Sequence, residues 1–349
     1  MKEVIGVQYL RGLAALFVVF YHVLTDLSPI PGDEPIRRMM FAGGVDIFFV
    51  ISGFIIWMSV SRPDVRPGPW WLSRAIRIAP LYWLTLLVVL AQLAVSGRMA
   101  PGTFPRPDEI LYSFLFVFYT NSLTGQFTPY FTPGWSLNYE FFFYLLMGLS
   151  LFLRRPWMRV AMIVGIFAVL IALRPFSDPA SAAQFRYTSP LQMEFVAGIG
   201  ISILYPWIRK LRGAWLLGLL SLALAVVVMV YVSPRLYPNG PRAVYFGLPA
   251  ALLVFGVVCL EDLLARRPVA LFNALGDSSY SLYLSHTLAF AIPAALFHAV
   301  GPLPLPVSFV IAVVFAAAVG WLVFRYVEKP MLAWMRARAP RPHGAPVTS

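Results

Sequence analysis

Ten runs of roughly 20 predominantly apolar residues recur along this chain and constrain its fold more than any other feature. Inside a bilayer, backbone polar groups must find partners within the protein, so such runs predict transmembrane helices. With 60% hydrophobic and 12% charged residues among 349, the chain is too apolar for a soluble domain. We predict an all-α polytopic membrane helical bundle, with spans near 5–27, 40–60, 78–96, 135–153, 157–173, 189–207, 214–232, 242–260, 278–300 and 305–327.

A further apolar segment, 109–120, is too short to cross a bilayer comfortably and fits a re-entrant or interfacial helix better. If it does not cross, arginine and lysine concentrate in alternate loops, as the positive-inside rule expects. This arrangement predicts that both termini are cytoplasmic. The net charge of +12 is then explained by contact with anionic lipid headgroups, and no nucleic-acid partner is expected.

The domain organisation is predicted to be simple. Residues 1–332 form one transmembrane domain, and 333–349 form a basic, proline-rich cytoplasmic tail. Arg11 interrupts the apolar stretch that a signal peptide needs, so we expect the first span to be retained. The single cysteine, Cys259, excludes an intramolecular disulfide and disfavours a thiolate metal cluster. No metal site is expected.

Two ionisable residues, Arg11 and His22, lie in the first apolar run. Eleven helical steps leave roughly 20° of rotation and about 16 Å of rise, so both side chains face the same side at different depths. Ionisable groups inside a bilayer are costly and usually face a protein interior or a watery cavity. The pair is therefore the best sequence indication of function.

The other intramembrane polar residues divide by predicted depth. With a cytoplasmic N-terminus, the first span places Arg11 in the inner half and His22 nearer the outer face. Spans that start outside place their early acidic residues near His22, whereas a span starting at residue 278 places its histidine near Arg11. The predicted outer cluster is His22, Asp46, Glu140 and Glu194, and the predicted inner cluster is Arg11 and His286. Together they suggest a polar route between the two faces.

Each of these residues has a functional and a structural interpretation. His22 suits a general base, because the pKa of histidine lies near neutrality and a carboxylate can orient the ring. Alternatively, it is a structural histidine bonded between helices. Arg11 fits either a ligand for a carbonyl or phosphate oxygen or an interhelical ion pair. Asp46 and Glu140 fit interhelical pairing equally well.

Arg74 and Arg77 lie three residues apart, on one face of a helix at the predicted cytoplasmic surface. Such a fork suits a phosphorylated ligand, with Trp70 and Trp71 beside it. The alternative is a topology anchor, since basic residues with tryptophan are common at membrane edges. The candidate acceptor-binding residues found from the residues alone are Ser136, Asn138 and Glu194, and a structural role is favoured for each of them.

Six segments together resemble the membrane-bound acyltransferase-3 family: QYLRGLAALFVVFYH, GGVDIFFVISGFII, RAIRIAPLYW, TPGWSLNYEFFFY, SYSLYLSH and RYVEKP, in order across residues 8–330. The resemblance implies a membrane enzyme of about ten spans. Such enzymes move acyl groups, usually acetyl, from cytoplasmic acyl-CoA to hydroxyls of saccharides or other acceptors. The site positions that the resemblance carries onto this chain are Arg11, His22, Arg74, Arg77, Trp135, Ser136, Glu140 and His286, with Trp135 as a further candidate for binding the acceptor.

The expected mechanism uses acetyl-CoA as a donor substrate, with no tightly bound cofactor. Its phosphates meet Arg74 and Arg77, and its pantetheine arm enters beside Arg11 and His286. His22 acts as base, directly or through a transient acetyl-enzyme, and Glu140 or Asp46 orients it or holds the acceptor. The expected partners are a saccharide or lipid-linked glycan and membrane lipids, while the oligomeric state stays open.

Two other functions compete with the enzyme. One is a proton-coupled transporter of saccharides or organic acids, in which the buried arginine and histidine move protons. The absence of an obvious inverted repeat and the cytoplasmic arginine pair disfavour it. The other is a non-catalytic partner of a glycan polymerase, which leaves the buried ionisable residues unexplained.

Overall fold

The computed structural model describes residues 4–27, 35–62, 64–96, 104–237, 240–301 and 303–338. Within these ranges the regular structure is entirely helical, and eight helices are long and apolar enough to cross a membrane. Two further predicted spans coincide with shorter helices, Gly134–Ser150 and Ala243–Cys259. The prediction of an all-α polytopic membrane protein is confirmed.

The chain forms two compact units. The first comprises the described residues within 1–59 and 189–324, and the second comprises those within 60–188 and 325–349. The helices of the first unit are α1 (Ile5–His22), α2 (Pro35–Ala42), α3 (Gly44–Val60), α9 (Met193–Ile208), α10 (Ala214–Val227), α11 (Ser233–Leu236), α12 (Leu248–Cys259), α13 (Glu261–Leu264), α14 (Ala270–Ala289), α15 (Ala291–Val300) and α16 (Leu305–Val323). Those of the second are α4 (Pro67–Val95), α5 (Pro107–Phe114), α6 (Gly134–Ser150), α7 (Pro156–Ala172), α8 (Ala182–Tyr187) and α17 (Lys329–Arg338).

In the first unit, α1 and α14 pack closely and run in the same direction. An added Cβ at Gly12 would lie 2.8 Å from the Cβ of Leu275, and one at Gly276 would lie 2.3 Å from the carbonyl oxygen of Gln8. Small residues at these two positions let the backbones approach. The N-terminus of α1 is held by the Glu261 carboxylate, which accepts hydrogen bonds from two backbone amides. These contacts fix the register of α1.

The start of α14 corrects one predicted span. The hydropathy pattern placed the span at 278–300, but the helix begins at Ala270. The first turns carry the polar residues Asn273 and Asp277, which lowered the apparent hydropathy of this stretch. His286 is therefore the seventeenth residue of α14 and not an early residue of its span. Its depth was predicted wrongly for this reason.

In the second unit, α6 packs against both α4 and α7. The Trp71 indole donates a 3.0 Å hydrogen bond to the carbonyl of Tyr144, where Gly148 leaves space for the ring. Arg159 donates a 3.0 Å hydrogen bond to the carbonyl of Leu153. These bonds satisfy polar groups at the ends of apolar helices, where unpaired groups are costly.

The segment predicted to be too short to cross contains α5, which has only eight residues. The following loop is fixed by the buried Glu109, which accepts bonds from Ser122 and from the hydroxyl of Tyr130. Burial raises the pKa of Tyr119 to about 12, so its hydroxyl stays protonated beside Ser113. The loop therefore leads into α6 with its polar groups paired.

The C-terminal region continues from α16 through a π-helical turn, Phe324–Glu328, into α17. The predicted tail, 333–349, thus begins inside a helix that ends at Arg338. Its remaining residues, 339–349, lie outside the described part of the chain.

Candidate functional site

Three side chains of the first unit meet at the end of α1. His22 closes the helix, and a π-helical turn, Val23–Leu27, continues it. The Nδ1 atom of His22 lies 3.0 Å from a carboxylate oxygen of Asp26. The centroids of the His22 and His286 rings lie 5.0 Å apart. The structure therefore gives His22 a carboxylate on one side and a second imidazole on the other.

His286 is fully buried and has one defined hydrogen bond. Its Nδ1 lies 2.7 Å from the carbonyl oxygen of Tyr283, which can only accept, so Nδ1 carries the proton. The Nε2 atom is buried, and no hydrogen-bond partner within the described ranges reaches it. A neutral imidazole in this tautomer presents a lone pair at Nε2. This corrects the predicted inner cluster, because His286 adjoins His22 and not Arg11.

Arg11 lies three turns back along α1, in a separate polar contact with α14. It donates a 3.1 Å hydrogen bond to Gln8, whose amide donates a 2.6 Å bond to Asp277. Gln8 is buried, whereas Arg11 is half-buried. Arg11 thus keeps a cationic group inside the unit, oriented by a buried amide.

Asp46 and Glu194, two members of the predicted outer cluster, lie together around Arg242. Arg242 donates to both oxygens of Asp46, at 3.1 and 2.6 Å, and Asp46 has no exposed surface. Glu194 lies within electrostatic range of Asp46 and Arg242, and its two buried carboxylate oxygens have no hydrogen-bond partner in the described ranges. The carboxylate bonded to His22 is Asp26, not the predicted Asp46.

Glu140, the other predicted orienting carboxylate, belongs to the second unit. It is half-buried and accepts a hydrogen bond from the hydroxyl of Tyr144, one turn along α6. Arg74 lies within electrostatic range of both residues and of Arg336, and its guanidinium is 5.9 Å from the ring centroid of Trp70. The Nε of Arg74 donates a 3.4 Å hydrogen bond to the hydroxyl of the adjacent Ser73.

Arg77 is occupied differently from Arg74, although the two were predicted as a fork. It forms an ion pair with Glu328, whose side chain is only 1% exposed. This contact ties α4 to the turn that precedes α17. The charge of Arg77 therefore compensates the buried carboxylate of Glu328. The prediction that Arg77 and Arg74 together bind a phosphate did not include this ion pair.

The predicted acceptor-binding residues on α6 divide by exposure. Ser136 and Asn138 are buried and donate to the carbonyls of Pro133 and Val117. Trp135 is half-buried, and the guanidinium of Arg186 lies 5.5 Å from its ring centroid. The structure thus shows bonds to the preceding loop for two of these residues and leaves Trp135 as the accessible one. Their part in acceptor binding stays a prediction.

Three charged partners were not singled out from the sequence. Asp26 follows His22 by four residues, a spacing that brings helical side chains together and was visible in the sequence. Arg242 and Glu328 pair over 196 and 251 residues, so a single sequence carries no signal for them. Across the described ranges, no group of three or more His, Cys, Asp or Glu side chains is placed to hold a metal ion.

The fold and these buried groups define an integral membrane protein with ionisable side chains buried among its apolar helices. The family model described as an acyltransferase domain matches residues 4–325. The chain therefore belongs to the acyltransferase-3 family, as the six sequence segments predicted.

Curated relatives agree with this family. The exopolysaccharide production protein ExoZ of Rhizobium meliloti (strain 1021) is 34% identical over 316 residues, 85% of this chain and 91% of that protein. Nodulation protein 10 of Rhizobium leguminosarum bv. viciae is 25% identical, over 80% of this chain and 81% of its own. The putative peptidoglycan O-acetyltransferase YrhL of Bacillus subtilis (strain 168) is 24% identical over 93% of this chain but 54% of its own length. No solved structure gives a significant match.

Proposed function

We propose that this protein is an O-acyltransferase that moves acetyl, or another short acyl group, from acyl-CoA to a hydroxyl of an exopolysaccharide or lipid-linked glycan. The observation that carries the proposal is the contact of His22 with His286 inside a chain of the acyltransferase-3 family. Two imidazoles with available lone pairs suit proton removal from a hydroxyl. The relatives named for exopolysaccharide production and O-acetylation support a glycan acceptor.

The proposed reaction uses His22 as general base. Its Nε2 takes the proton of the acceptor hydroxyl, and the oxygen attacks the thioester carbonyl. A carbon–oxygen bond forms as the carbon–sulfur bond breaks, and the proton passes from His22 to the departing thiolate. Nε2 of His286 can accept a hydrogen bond from the acceptor or from an amide of the pantetheine arm. Arg11, three turns from His22 along α1, supplies positive charge for a phosphate oxygen of the donor.

The donor is proposed to enter from the cytoplasm of a bacterium, whose inner membrane holds the protein with both termini inside. Arg74 is the stronger candidate for a phosphate ligand, because Arg77 already compensates Glu328. Arginine suits this role because its guanidinium can make two parallel charge-assisted bonds to one phosphate.

Labelled acetyl-CoA tests the proposal directly. Membranes containing the protein are incubated with acetyl-CoA labelled in the acetyl group and with exopolysaccharide from a strain that lacks the protein. We expect label on the glycan, released by mild alkali as acetate. Unlabelled glycan, together with protein-dependent movement of that glycan across vesicle membranes, would favour the rival transporter.

Replacing Arg74 with alanine should raise the apparent KM for acetyl-CoA about 10-fold or more and change kcat little, because a charge-assisted bond to phosphate is lost in ground and transition states alike. Steady-state transfer at varied acetyl-CoA checks this. Arg209→Ala is a matched control, since Arg209 is a partly exposed arginine paired with Asp262. An unchanged KM for the Arg74 variant would mean that Arg74 does not bind the donor and serves as a topology anchor at the membrane edge.

A further inference from the structure

The Asp26 carboxylate lies beside Nδ1 of His22, and the proposed reaction gives it no role. We propose that Asp26 is a positioning residue that holds His22 in the tautomer with its proton on Nδ1 and its lone pair on Nε2. The inference rests on the proposed function, in which His22 is the base.

Hydrogen-bond chemistry supports this tautomer. An ionised carboxylate can only accept, so the 3.0 Å contact requires the proton to be on Nδ1 of His22. Asp26 is about half exposed, with 50% of its side-chain surface accessible, so water can solvate the carboxylate while it holds His22. When His22 takes a second proton during transfer, the adjacent negative charge stabilises the imidazolium.

The neighbouring imidazole cannot perform the same task. The Nδ1 proton of His286 is committed to the Tyr283 carbonyl, and its Nε2 has no proton to donate. His286 can therefore neither replace Asp26 as an orienting acceptor at Nδ1 of His22 nor block Nε2 by donating to it. The T-shaped contact of Tyr21 with His22, with ring centroids 5.3 Å apart, restricts the ring from another direction.

The local backbone explains why the contact forms. The helix passes into the π-helical turn Val23–Leu27 directly after His22, and Thr25 bonds back to the carbonyl of Tyr21. Single π-helical turns within helices often occur at functional sites, because they re-aim side chains. Here the turn places the Asp26 carboxylate beside the imidazole of His22, four residues earlier.

The test measures acetyl transfer by membranes containing the full chain, with labelled acetyl-CoA and the glycan of a strain lacking the protein. We expect Asp26→Asn to lower kcat about 100-fold or more, because an amide can donate to Nδ1 and so favours the wrong tautomer. The apparent KM for acetyl-CoA should stay within about threefold of the unmodified protein. The kcat of Asp26→Glu should be at least about tenfold higher than that of Asp26→Asn. The matched control is Asp262→Asn, which changes another half-exposed aspartate and should keep normal kcat.

Nitrogen NMR of the unmodified protein provides an independent readout. The chain has only four histidines, so ¹⁵N-histidine labelling with a His22→Gln sample assigns the His22 signals. We expect Nδ1 to carry the proton in the unmodified protein and to lose it in Asp26→Asn. An Nε2-protonated His22 in the unmodified protein would overturn the proposal, even if the asparagine variant does not fold.

The His22→Gln and Asp26→Asn variants together distinguish the role of Asp26 from the role of His22. Full activity of Asp26→Asn together with an inactive His22→Gln would remove Asp26 from the site and leave His22 as base. If the His22→Gln protein were active, His22 would not be the base, and Asp26 would have no base to position.

Discussion

Replacing His22 with glutamine should reduce kcat for acetyl transfer by a factor of about 10² to 10⁴, the usual contribution of a general base. Glutamine keeps a polar side chain of similar reach but cannot take a proton near neutral pH. Since the imidazole lies at the end of α1 and not at the tight crossing near Gly12, the variant should still insert and fold. Transfer of label from acetyl-CoA to glycan measures the loss.

His298→Gln is the matched control for this experiment. His298 is an exposed histidine on α15, and its replacement should leave transfer unchanged. Comparable thermal midpoints in detergent for both variants would show that the loss is chemical. If the His22 variant retained more than about a tenth of normal kcat, another group would have to be the base.

Hydropathy predicted the all-helical architecture, because a bilayer leaves backbone polar groups few alternatives to helix. Hydropathy failed where polar residues are satisfied by a neighbouring helix. Asp277 accepts a hydrogen bond from Gln8, so the start of α14 tolerates a polarity that made it look like a loop. That single displacement moved the predicted depth of His286 by about two turns.

The contacts between the candidate site residues could not be predicted from the sequence. His22 and His286 were both named, yet their contact was not, because it depends on the parallel packing of α1 and α14. The pairing of Asp46 with Arg242 joins residues 196 positions apart, and no local pattern specifies it. Asp26 was within reach of sequence reasoning, since a carboxylate four residues after a histidine lies on the same helical face.

Replacing Asp46 with alanine should destabilise the first unit by about 3–5 kcal/mol, because it leaves Arg242 with an uncompensated charge in a largely buried position. The lost contact is bidentate, and Asp46 is completely shielded from solvent, so water cannot readily replace the carboxylate. We expect the midpoint of thermal unfolding in detergent to fall by about 5–15 °C. Size-exclusion of the heated protein measures it.

Glu194 determines how large this loss becomes. Its carboxyl group neighbours both Asp46 and Arg242, so it can take over part of the pairing when Asp46 is removed. Asp46→Ala should therefore be more damaging in a Glu194→Gln background than alone, which is a coupling that a double-mutant cycle measures. Asp46→Ala with Arg242→Ala should lose less stability than the sum of the single variants, because neither charge is then left unpaired. Strictly additive losses in both cycles would mean that the three groups do not act as one buried charge cluster.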